Sequence, residues 1–66
     1  MHLRQFSMRL PKEERAAFRR ALAERAEVSR QTVWNWEHKL YRPSYQHLQA
    51  IAEVTEGEVT AGDMYE

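Results

Sequence analysis

A chain of 66 residues is expected to make one domain with a thin core, because a chain this short buries only about 60% of the surface that its unfolded form exposes. It has no cysteine, which excludes disulfides and thiolate metal sites as staples. No apolar run nears the roughly 20 residues of a membrane span and there is no signal-peptide pattern, so a soluble, intracellular protein is expected. The net charge of zero hides a split: residues 1–42 hold all ten Lys/Arg and five acids, net +5, and residues 43–66 hold five acids and no Lys/Arg, net −5.

Leu3, Phe6 and Leu10 recur at i, i+3, i+7, which predicts a short first helix with one apolar stripe. Pro11 ends it and suits the first turn of the next helix, where Glu13 and Glu14 fall near the positive N-terminal end. Residues 12–26 contain neither Gly nor Pro and are rich in Ala, Glu and Arg, all strong helix formers. They predict one long helix, with any bend near Arg19–Arg20. Phe18, Leu22 and Ala26 form its stripe, and Ala23 beside them lets a neighbouring helix approach closely.

Glu27-Val28 reads as a turn, and Ser29 as the N-cap of a third helix. This helix, Arg30 to about His38, buries Val33 and Trp36. Arg30, Gln31 and Asn35 lie elsewhere on it, with Thr32 near its start. Trp34 and Trp36 cannot both face one core. Lys39–Arg42 is a loop closed by Pro43. Ser44 is expected to cap a fourth helix, Tyr45 to about Val54 or Thr55, with Tyr45, Leu48, Ile51 and Ala52 as its apolar stripe and Gly57 at its end. Thr60 reads as the cap of a short fifth helix anchored by Val59 and Met64. The pattern predicts an all-α, five-helix fold without strands.

The stretch Leu22–Glu37 thus reads as two helices joined by a tight turn, with small apolar residues at their contact and a polar face left open on the second. That is the layout of a helix-turn-helix, whose second helix lies in the major groove of DNA. The charge split agrees, with a basic part toward phosphate and an acidic tail away from it, although a merely solvated basic face would show the same asymmetry.

The residues also carry a family resemblance over nearly the whole chain. Ala23, Glu27, Val28-Ser29-x-x-Thr32-Val33-x-x-Trp36-Glu37 and Pro43 resemble the helix-turn-helix of phage Cro and lambda-type repressors. The opening, Met1–Arg4 with Leu10–Phe18, and the close, Ile51-Ala52-x-x-Thr55-x-Gly57–Thr60, are similar to the Cro/YdaS-like branch. The chain departs from the pattern in three places. Glu27 stands where the turn usually carries Gly, at a position that tends to be left-handed. Lys39 replaces a Gly usual in the loop after the third helix, and the helix ending at Ala26 is about one turn longer.

The resemblance implies a lambda-repressor-like fold, with a helix-turn-helix unit over about residues 19–38, and a transcriptional regulator of phage or prophage type. It would be a repressor in the cytoplasm of a bacterial host, associated with the nucleoid. The implied partners are double-stranded DNA and a second copy, in a weak dimer that forms on DNA through a small interface such as the 57–66 tail. Base contacts would come from Arg30, Gln31 and Asn35. Arg pairs bidentately with guanine, and Gln or Asn with adenine. Backbone contacts would come from Arg19, Ser29, Thr32, Lys39, Tyr41 and Arg42. Trp34 would lie either against DNA or against the 39–42 loop or a neighbouring subunit. The rival reading is an antitoxin-like protein-interaction module that uses the acidic half.

An enzyme is not expected. Ser29 has no Gly-rich elbow around it, and Glu13 and Glu14 are explained by the helix dipole. His2, His38 and His47 lack metal-ligand spacing. No cofactor, metal or small-molecule substrate is implied.

Overall fold

The computed structural model of the chain describes residues 1–65. Five helices follow in order: α1 (Leu3–Arg9), α2 (Lys12–Ala26), α3 (Arg30–Glu37), α4 (Tyr45–Val54) and α5 (Ala61–Met64). Among the described residues there is no strand. The all-α, five-helix expectation holds.

α2 is the central element and packs against α4, α3 and α1. Leu22 and Ala23 of α2 meet Val33 and Trp36 of α3, Leu48, Ala50 and Ile51 of α4, and Leu3 of α1 in one buried cluster that Val59 and Met64 close from the C-terminal side. Full burial of a Leu or Ile side chain stabilises by about 1.5–3 kcal/mol, so these few residues carry most of the apolar driving force. Phe6 of α1 and Phe18 of α2 pack ring to ring, 5.1 Å between centroids, at the edge of the cluster. An exposed ion pair, Arg25 with Glu53, bridges α2 and α4 at the surface.

Three helices end in the same way. Glu27 N–H donates to Glu24 O (3.3 Å) and Val28 N–H to Ala23 O (2.9 Å). Lys39 donates to Trp36 O (3.3 Å) and Leu40 to Asn35 O (2.9 Å). Glu56 donates to Glu53 O (3.2 Å) and Gly57 to Ala52 O (2.7 Å). These crossed pairs are Schellman turns, which need a left-handed residue just past the helix. Glu27, Lys39 and Glu56 supply it with φ of 58°, 61° and 55°, although none is glycine. α4 ends at Val54, as expected, but Glu56 and not Gly57 takes the Schellman position, and Gly57 follows it with φ of 83°.

Other details differ from the sequence expectations. Leu10 lies past the last residue of α1 as its C-cap. Tyr45 is 74% exposed; at the first position of α4 its side chain stands clear of the stripe formed by Leu48 and Ile51. Ser44 precedes α4 without capping it through its side chain, because its hydroxyl pairs with His47 Nδ1 at 3.1 Å. Thr60 caps α5 as expected, in a reciprocal box with Asp63.

Candidate nucleic-acid interface

The turn between α2 and α3 sets the direction of α3. With Glu27 left-handed, the chain reverses within Glu27-Val28, and Ser29 opens α3 by accepting the Thr32 N–H on Oγ at 3.2 Å. The Ser29 and Thr32 hydroxyls lie 3.1 Å apart, so the two predicted backbone-contacting hydroxyls sit together at the start of the helix.

α3 has a held side and an open side. Val33, Trp36 and Glu37 are buried, whereas Arg30, Gln31 and Trp34 are exposed and Asn35 is half-buried. Gln31 Nε2 donates to Asn35 Oδ1 at 3.2 Å, which joins two of the predicted base-contact residues into one amide unit along the open side. Trp36 is 2% exposed, as its spacing from Val33 predicts. Trp34 is 43% exposed, and its indole stacks on the His38 ring, with centroids 3.8 Å apart and planes inclined by 19°. His38 Nδ1 lies 2.9 Å from the Trp34 carbonyl, which fixes the imidazole under the indole.

The held side is fastened by a polar cluster that the sequence reading missed. The Glu37 side chain is fully buried. Its Oε1 accepts from Ser7 Oγ (2.5 Å) and from Arg19 Nη2 (3.0 Å), and its Oε2 accepts from Arg19 Nε (2.8 Å). Arg4 Nη1 lies 3.7 Å away. Burial pushes the Glu37 carboxyl up, but the hydrogen bonds from Arg19 and Ser7 and the charges of Arg19 and Arg4 outweigh it and hold the group ionised below the usual range. The same pairing raises the Arg19 guanidinium. A signal for this cluster was present: Glu37 follows Val33 by four residues, and Ser7 follows Leu3 by four, so both fall on the core stripes of their helices.

Arg19 therefore has a structural partner, and among the described residues no hydrogen bond uses its Nη1. Its guanidinium, with Ala16 of α2 and Arg30, Gln31 and Trp34 of α3, lines an open depression of about 380 Å³. The fold thus gathers the predicted residues Arg19, Arg30 and Gln31 in one place. Lys39, Tyr41 and Arg42 are separate from them, exposed on the loop after α3. The Arg42 guanidinium lies 5.6 Å over the Tyr65 ring, and Tyr65 donates its hydroxyl to Pro43 O at 2.7 Å. A second depression, of about 560 Å³, lies among Met1, His2, Arg4, Gln5, Glu37, His38, Lys39 and Asp63. There the Met1 ammonium donates to Asp63 Oδ2 at 2.7 Å and to Glu58 O at 3.1 Å. Among the described residues no cluster of three His, Cys, Asp or Glu side chains has the arrangement of a metal site, and no helix is long and apolar enough to cross a membrane.

A family model described as helix-turn-helix matches residues 19–60, well over half of the chain. The chain belongs to the helix-turn-helix family. Its group is that of the Cro and lambda-type repressors, and the family is one of DNA-binding regulators. In this helix-turn-helix protein the match begins at Arg19, inside α2, so α1 and the first half of α2 lie outside it. No curated protein matches the chain, and no solved structure does.

Proposed function

We propose that this helix-turn-helix protein is a sequence-specific transcriptional repressor of phage or prophage type, and that it occludes a promoter by binding a pseudo-palindromic operator. The observation that carries this reading is the division of α3: Val33, Trp36 and Glu37 are held in the core while Gln31 and Asn35 lie on the side away from them and Arg30 is exposed in the first turn. A helix held along one side and polar on the other can enter a major groove and present its amides and guanidinium to base edges. Arg30, Gln31 and Asn35 read bases. Ser29, Thr32 and the remaining edge of Arg19 contact phosphate at the start of α3, and Lys39, Tyr41 and Arg42 contact it beyond the end.

The whole of residues 1–66 acts as one DNA-binding domain, with the reading unit at about 19–38, in the cytoplasm of a bacterial host. Reading two half-sites about 34 Å apart takes a second copy. A weak dimer that forms on the operator suits a chain whose exposed apolar side chains include Leu40 and Tyr45, on either side of Pro43 next to Tyr65.

Selection from a randomised duplex pool at near-physiological salt, followed by titration of the enriched duplex at several salt concentrations, tests the reading. A two-fold-symmetric motif is expected, with affinity falling steeply as salt rises because each phosphate contact releases counterions. No enriched motif, with only weak binding to any duplex, overturns it.

A further inference from the structure

The open depression between α2 and α3 is unlike the rest of the surface. Its lining combines Trp34 and Ala16 with the cationic side chains Arg19 and Arg30 and the amide side chain Gln31. Among the described residues neither Arg30 nor the Trp34 indole N–H has a hydrogen-bond partner, and Arg19 spends only Nε and Nη2 on Glu37. The indole is already held in place by the His38 ring stacked on it, so a ligand would meet a side chain that needs little ordering.

The volume of about 380 Å³ is at the small end of the range for ligand clefts, with room for one nucleotide unit and not for an element of a folded partner. On α3, at about 100° per residue, Trp34 stands roughly 60° to one side of Gln31, on the side toward α2. It flanks the Gln31–Asn35 stripe. When that stripe faces base edges, the flank faces the wall of the groove, where the sugar–phosphate strand runs.

We propose that this depression seats one deoxyribose-phosphate unit of the DNA backbone, with the sugar against the Trp34 indole and a phosphate oxygen at Nη1 of Arg19, while Arg30 reaches past it to the bases. The proposal rests on the DNA-binding reading and adds Trp34 to the residues that touch DNA. A sugar ring offers C–H groups to the indole face whatever base it carries, so the contact strengthens binding and sets the helix's position without choosing a sequence.

Acrylamide quenching of tryptophan fluorescence reads this site directly, since Trp36 is buried and Trp34 is the exposed tryptophan. Binding of the selected duplex should cut the quenching constant of the exposed component several-fold, and Trp34→Phe should abolish that component in the protein without DNA. Trp34→Ala should weaken binding about tenfold for selected and scrambled duplexes alike, with an unchanged melting temperature, and Trp34→Phe should recover most of the loss. Trp34 remaining as quenchable in a complex that a gel shift shows to be formed overturns the proposal and leaves the DNA-binding reading standing. So does protection by millimolar thymidine 3′-monophosphate without protection by duplex, which would mark a small-ligand cleft. Failure to bind any duplex overturns both.

Discussion

Arg19 of α2 grips Glu37 of α3 through two hydrogen bonds, Nε to Oε2 at 2.8 Å and Nη2 to Oε1 at 3.0 Å, with the carboxylate wholly shielded from solvent. The two residues are 18 apart in the chain. Their pairing joins the end of the proposed reading helix to the middle of the central helix, and Ser7 ties the same carboxylate to α1. Removing one partner of a buried pair strands the other, at a cost of about 3–5 kcal/mol. Arg19→Met leaves a buried carboxylate with only Ser7 and the more distant Arg4, whereas Glu37→Gln leaves an arginine that still reaches water. Thermal or urea unfolding should therefore show Arg19→Met as the more damaging change. Equal losses, or a loss under about 1 kcal/mol for Arg19→Met, would show that the pair does not hold the helices together.

Acid should weaken the fold in two stages. Burial, reinforced by Lys39, holds the His2 imidazole below its ordinary value of 6.5. The unfolded chain thus takes up that proton first, and stability drops as pH falls below 6.5. The Met1 ammonium, with the Thr60 backbone and hydroxyl, lowers the Asp63 carboxyl to about 2, and the Glu37 carboxyl is also below its ordinary 4.5. Depressed carboxyls contribute stability that is complete above their unfolded values and is lost as pH falls through their folded ones. The second decline therefore starts near pH 4.5 and continues toward pH 2. Melting temperatures from about pH 8 to about pH 3 would trace both stages, and Glu37→Gln should flatten the second. A stability maximum in acid contradicts this account.

Glycine at the three helix ends should raise stability. A left-handed conformation costs an ordinary L-residue about 1–2 kcal/mol, and the extra backbone entropy of Gly offsets about 0.5–1 kcal/mol of the relief. Glu27→Gly, Lys39→Gly and Glu56→Gly should each gain up to about 1 kcal/mol, a rise of roughly 4–8 °C in Tm for each kcal/mol in a domain of this size. Lys39→Gly carries a second expectation: with the ammonium gone, affinity for every duplex should fall and the salt slope should flatten by about one. A gain in stability with no change in salt slope removes Lys39 from the phosphate contacts.

Gln31 and Asn35 should behave as one unit. Their side-chain hydrogen bond sets where the Gln31 amide points, so Asn35→Ala should change the base preferred opposite Gln31 as well as its own. The double substitution should then differ from the sum of the singles, as contacting residues do. Arg42→Ala, on the loop, should weaken binding to all sequences alike. Selection repeated with each variant reads these effects, and an unchanged base preference after loss of both Gln31 and Asn35 would sink their role in reading.

The helices were legible because their signals are local. A stretch from Lys12 to Ala26 without Gly or Pro, Ser29 as a cap and the Leu48–Ile51 stripe each act within a turn or two of the chain. Glu27 in place of Gly did not hide the turn, because Ala23 and Val28 still close it. Tyr45 was misplaced because helical phase was counted at the first residue of α4, where the side chain has no preceding turn to lean on. The Glu37 cluster went unread for a different reason. Charge was taken as a mark of solvent, whereas Ser7, Arg19 and Glu37 belong to three different helices and satisfy one another only after those helices have packed. The crowding of Arg19, Arg30, Gln31 and Trp34 around one depression is likewise a product of helix packing.

Seen along α3, the residues that anchor the helix and the residues that face outward are different sets. Val33, Trp36 and Glu37 carry the attachments, while Arg30, Gln31 and Trp34 contribute little to the core. The outward positions can accordingly be rewritten without rebuilding the scaffold beneath them. That is the condition under which a lineage, or an engineer, retargets a protein by swapping a handful of side chains, and it places the evolvable part of this molecule on less than half of one eight-residue helix.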